Sequence, residues 1–151
     1  MSNLSKAQGE YVMAYRDTNV FAQILRGNAP AFKVYENDSA LAFMDIMPQM
    51  DGHTLVIPKS AAENLHDVEP EILGETIKVV QLVSGAVQRA FEAPGIMIAQ
   101  LNGAAAGQTV FHLHFHIMPR FEGLDFKLHA REVEDGEKLA EFAQRIRTQL
   151  L

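Results

Sequence analysis

The chain has 151 residues, a formal net charge of −6, 48% hydrophobic residues and no cysteine. That length suits one domain with a core that needs no covalent staples, and the missing cysteines exclude disulfides, thiolate metal sites and a cysteine nucleophile while fitting a reducing compartment. The acidic balance argues against non-specific nucleic-acid binding, which rests on Lys/Arg–phosphate contacts, and no apolar stretch reads as a signal peptide or approaches the about 18 residues of a membrane span, so a cytoplasmic protein with no membrane or nucleic-acid partner is expected.

In chain order, residues 4–15 are weakly periodic. Val20, Phe21, Ile24 and Leu25 form a short apolar stripe that stops at Arg26-Gly27-Asn28, with Pro30 beyond. Residues 32–35 and 40–44 read as strands joined by a turn rich in Asn, Asp and Ser, which makes a hairpin, with Asp45 at its end. Residues 53–57 (HTLVI) make a third strand, and residues 61–65 a single helical turn. The main helix is expected over 69–91, with Pro70 in its first turn and an apolar stripe of Ile72, Val79, Val80, Val83, Val87 and Phe91. Residues 96–101 and 110–118 give two more strands, the last stopped by Pro119. An amphipathic helix over 137–151 closes the chain. Strands in meander order with one long helix predict a single α+β domain with an antiparallel sheet, its leftover edge or face covered in a homodimer.

The stretch around which the chain is organised is NGAAAGQTVFHLHFHIMPR, residues 102–120. His112, His114 and His116 alternate with Phe111, Leu113, Phe115 and Ile117. A period of two is that of a strand, so the imidazoles share one face, roughly 6.5–7 Å apart, and the hydrophobes the other. Three readings are open. The histidines are a polar sheet face without a duty. They are a metal site, which requires convergence of all three or the addition of His53. Or one imidazole attacks phosphorus while its neighbours and the amides of the Gly107-Gln108-Thr109 turn stabilise the phosphoryl oxygens. The last uses most of the local sequence. His66 and His129 read as structural or solvent-exposed.

The motif His112-Leu113-His114-Phe115-His116-Ile117-Met118, with AFKVYE (31–36), LAFMDIMPQ (41–49) and GHTLVIPK (52–59) in the same order, resembles the HIT (histidine triad) superfamily over roughly residues 20–120. The resemblance implies a HIT-like fold: a five-stranded antiparallel sheet, one long helix, a short N-terminal helix and here a C-terminal helical extension over 121–151. It implies a homodimer acting on the α-phosphate of purine nucleotide conjugates. His114 would be the nucleophile, flanked by His112 and His116, with His53 nearby. Asn102, Gly107, Gln108 and Thr109 match phosphate and leaving-group contacts, Asp45 the acid that holds ribose hydroxyls, and Phe21, Ile24, Phe43, Ile46 and Leu55 the purine slot. Many bacterial relatives bind zinc through a Cys-x-x-Cys, a histidine after the Pro-Lys and the first triad histidine. Asn19, Ala22 and Ala61 stand at three of these positions, so neither a metal nor another cofactor is expected. The activity expected is that of a nucleoside phosphoramidase, with a dinucleoside polyphosphate hydrolase or a nucleotide-binding protein of little turnover as the alternatives.

Overall fold

The structure, a computed structural model, describes residues 15–122 and 132–150. Nearly all of the weakly periodic 4–15 segment, and His129, lie outside them.

The short stripe forms helix α1, Val20–Leu25, whose first turn is closed by Asn19 Oδ1 accepting from the Ala22 amide at 2.9 Å. Gly27, at φ 79°, follows its end. Strands β1 (Lys33–Glu36) and β2 (Ala40–Met44) form the hairpin. Asn37 makes the turn, its side-chain oxygen accepting from the amides of Ser39 and Ala40. Strand β3, Thr54–Pro58, pairs antiparallel with β2 from Ala40↔Pro58 to Met44↔Thr54. The helical turn expected at 61–65 is absent. Asp67 Oδ2 accepts from the Glu63 amide and Asn64 Oδ1 from the His66 amide, so side chains draw this backbone into turns instead. Helix α2, Pro70–Phe91, starts on its proline and ends at Glu92, whose left-handed backbone (φ 50°) closes the last turn.

After α2 come β4 (Gly95–Ala99), a 3₁₀ turn at Ala104–Ala106, β5 (Phe115–Arg120) and helix α3 (Gly136–Thr148). The sheet is five-stranded and antiparallel in the order β1-β2-β3-β5-β4. That corrects the meander: α2 carries the chain from β3 to the far edge, and β5 returns into the gap. A second correction concerns β5, which begins at Phe115 and runs past Pro119. Proline fits because β3 pairs only with Phe115, His116 and Ile117, so at Pro119 only β4 lies alongside and the ladder on the other flank is open. Of the three histidines, only His116 is in a paired strand.

The sheet is covered on both faces. Alternation along β2 sends Ala40, Ala42 and Met44 into one core with α2, α3, Leu113, Phe115 and Ile117, while Leu41 and Phe43 join Phe21, Leu55 and Ile57 in the other. Among the described residues no helix is long and apolar enough to cross a membrane.

Candidate active site

The alternation read from the sequence survives even where the strand does not. Leu113 and Ile117 are fully buried in the main core, and His112, His114 and His116 turn to the opposite face, where all are buried as well. Buried polar groups need partners, and the partners here fix where each proton sits.

His112 has both nitrogens engaged. Pro58 O, 2.9 Å from Nε2, can only accept, so Nε2 carries the proton. Nδ1 then accepts from the Tyr15 hydroxyl at 2.6 Å. Burial pushes the His112 pKa below its ordinary value, partly offset by the bond to Pro58, so the ring is neutral. The carbonyl of His112 accepts in turn from His114 Nδ1, 2.7 Å away. A proton on Nδ1 leaves the nucleophilic lone pair of His114 on Nε2. Phe21 lies edge-on to the His114 ring at 5.0 Å between centroids, and His116 approaches it at 5.0 Å and 64°.

A second chain of hydrogen bonds runs through His53. The Gln49 amide donates to His53 Nδ1 at 3.0 Å, so the His53 proton is on Nε2. It points to His116 Nδ1 at 2.9 Å, with Asp45 Oδ2 at 3.5 Å. His116 therefore carries its own proton on Nε2. Asp45 Oδ1 accepts from the Met47 amide at 2.9 Å, which seats the carboxylate.

The turn residues play a different part from that expected. Gln108 is buried, its Oε1 accepts from Gly103 N at 2.7 Å, and its Nε2 donates to Glu63 O at 2.8 Å and Val110 O at 3.0 Å. Both N–H groups are in use, so in this conformation Gln108 ties loops together and has no donor left for a phosphate. Asn102 Oδ1 accepts from Leu65 N and Gln100 Nε2, and its Nδ2 donates to Gln100 Oε1. Gly107 takes φ 103°, a backbone that favours glycine. Thr109 lines a cleft of about 670 Å³ with Arg16, Thr18, Asn19, Val20, Glu63, Val110 and Phe111. The buried histidines do not line that cleft; it abuts the segment leading into them. Of the expected purine slot, Phe21, Phe43 and Leu55 form one apolar cluster with Ile24 against it, whereas Ile46 is 46% exposed and outside that cluster.

Two residues were not singled out by the sequence. Tyr15 lies 97 residues from His112 in a weakly patterned stretch, and nothing local marks it. Gln49 acts through its backbone, which side-chain patterns do not reveal.

The residues do not fit the zinc of some relatives. Asn19 spends its side-chain oxygen on the helix cap, Ala22 and Ala61 offer no donor, and the lone pair of His112 Nδ1 is held by Tyr15. A different trio, Asp45, His53 and His116, has ligand atoms within 4.8 Å of one another. A metal-binding imidazole usually donates its other N–H to an acceptor. At His53 that nitrogen instead accepts from an amide, so the trio is wired for a proton.

Comparison with known proteins bears on the fold and the family. A HIT-like protein of Bartonella henselae, described as involved in cell-cycle regulation, superposes with a TM-score of 0.85 at 48% identity, over 90% of this chain and 99% of that one. A zinc-bound histidine triad family protein of Mycobacterium smegmatis matches at 36% identity and a TM-score of 0.77, over 92% and 94%. Adenylylsulfatase HINT3 of Arabidopsis thaliana is 40% identical over 103 residues, which is 68% of this chain and 52% of that protein. The HIT domain profile matches residues 26–123, and the chain belongs to the HIT family, a superfamily of nucleotide-binding hydrolases and transferases.

Proposed function

We propose that the protein is a hydrolase of purine nucleotide conjugates, phosphoramidase-like, that works through a nucleotidyl-histidine. The observation that carries this is the His114 tautomer: Nδ1–H held by the His112 carbonyl, with the lone pair on Nε2. Nε2 attacks the α-phosphorus and forms a P–N bond as the bond to the leaving group breaks. The leaving group is protonated from water, because a neutral His116 that gave up its one N–H would become an imidazolate; the His116 Nε2–H, oriented by the bond that Nδ1 accepts from His53, donates to the phosphoryl oxygens instead. Water then attacks the same phosphorus and loses its proton to solvent as the P–N bond breaks, which releases the nucleoside monophosphate and restores the lone pair on His114 Nε2. Asp45 holds the ribose hydroxyls, and Phe21, Phe43 and Leu55 hold the base.

Similarity to the Arabidopsis adenylylsulfatase favours a second reading, in which the leaving group is sulfate; a polyphosphate leaving group is the other alternative. Relative turnover of adenosine 5′-phosphoramidate, adenylyl sulfate and diadenosine polyphosphate separates them. Intact-mass analysis after a rapid quench tests their shared core. An adenylyl adduct mapped to His114 in the His116→Ala variant is the expected result. Full turnover by His114→Ala overturns it.

The active form is proposed to be a homodimer in the cytoplasm. β4 pairs only with β5 among the described residues, and Ile98 on it is 42% exposed. Ile77 and Leu82 on α2 are 44% and 42% exposed. An open edge and unburied aliphatic residues suit a second copy. Sedimentation of wild type against Ile98→Lys tests this, a dimer converted to monomer being the expected outcome.

A further inference from the structure

Tyr15 and Phe21 belong to one short unit. The Asn19 side chain donates to Arg16 O at 2.7 Å, the Asn19 amide reaches the same oxygen at 3.3 Å, and Asn19 Oδ1 caps α1. The turn at 16–19 is thereby locked to the helix that carries Phe21. At one end of the unit the Tyr15 hydroxyl grips His112, its ring edge-on at 5.7 Å. At the other, Phe21 lies edge-on to His114 and against Phe43 at 5.4 Å. The hydroxyl must be the donor, because Pro58 O requires the His112 proton on Nε2. Burial raises the Tyr15 pKa, which keeps that donor protonated throughout the neutral range.

We propose that Tyr15 is a positioning residue of the active site: its hydroxyl holds His112 Nδ1 and so seats Phe21 edge-on to His114. A phenol in that place leaves the N-terminal unit fastened to the triad without metal. The consequence for nucleotide binding rests on the function proposed above; the hydrogen bond itself does not.

Tyr15→Phe removes only the oxygen. Two measurements on it are made well below the melting temperature, where a loss of global stability alone leaves affinity unmoved. The first is the imidazole ¹⁵N spectrum. His112 Nδ1 is expected to move toward the position of a nitrogen that accepts no bond, with Nε2 still protonated. The second is calorimetric binding of AMP, expected to weaken about three- to tenfold, the scale of one net hydrogen bond. An unmoved His112 Nδ1, or an unchanged AMP affinity beside a moved one, overturns the proposal. So does stoichiometric zinc in the purified wild type that shifts His112 Nδ1. If wild type binds no AMP, the functional reading fails, and the ¹⁵N spectrum still decides whether Tyr15 holds His112.

Discussion

His53 Nε2 donates to His116 Nδ1 across 2.9 Å, and the Gln49 amide behind His53 fixes the direction of that bond. Each imidazole is thus told by its neighbour where to keep its proton. His53→Ala removes the donor and lets His116 sample both tautomers. The expected result is a fall in kcat of about 10²-fold with KM little changed, consistent with the loss of an oriented donor to the reacting phosphate. Steady-state and quenched-flow kinetics with adenosine 5′-phosphoramidate check it.

Removing the nucleophile is a larger loss. His114→Ala is expected to reduce turnover by about 10⁴-fold or more, while AMP affinity stays within a few fold because the apolar cluster around Phe43 and Leu55 is untouched. Parallel calorimetry and mass spectrometry separate binding from bond formation.

Stability should respond to acid through His112. Its folded pKa lies below the unfolded value of about 6.5. Above that value both states are neutral and the group contributes no pH dependence. As pH falls below it, the unfolded chain binds a proton that the folded one does not, so stability declines down to the depressed folded pKa. Melting midpoints between pH 7.5 and 5 should fall, and the His112 ring, followed by NMR, should titrate below the ordinary histidine value.

Gly52 should not accept a side chain. It has φ +91°, and an added Cβ would meet Phe91 Cε2 at 2.8 Å and the Pro119 ring at 2.9 Å. Gly52→Ala is expected to destabilise the protein by about 1–3 kcal/mol, combining backbone strain with overpacking. Urea unfolding measures the shift.

At the C-terminal helix, Asp135 accepts from the Lys138 amide at 3.1 Å as the N-cap. Asp135→Ala should cost about 1 kcal/mol. Losing the exposed Lys138–Asp51 pair in Asp51→Ala should cost less than that, because solvent screens the pair. Chemical denaturation of both variants ranks them.

What could be read from residues alone follows a physical divide. The hairpin, the long helix and the alternation of Leu113 and Ile117 against the histidines were legible because each depends on a local period or turn residue. The order of β4 and β5 was not, since edge placement is set by how α2 packs across the sheet. The early start assigned to β5 failed for a related reason. Alternating burial does not require a ladder: residues 110–112 form a bend, residues 113 and 114 have no strand partner, and the Leu113 amide reaches Ala62 O instead. The shared face of the histidines was legible, but not their tautomers, which depend on Pro58, Tyr15 and Gln49 arriving from elsewhere. For Gln108 the local pattern suggested a donor facing outward, and the carbonyls of Glu63 and Val110 draw that donor inward.

The loop between β2 and β3 answers to two masters. Its Gln49 amide sets the protonation of His53, while its Ile46 carbonyl accepts from the Glu134 amide at 2.9 Å and its Asp51 pairs with Lys138. The segment leading into the last helix therefore braces the platform on which the proton chain is built, without reaching the imidazoles. A change of length or charge there is expected to shift the Gln49 amide, and with it the bond from His53 to His116.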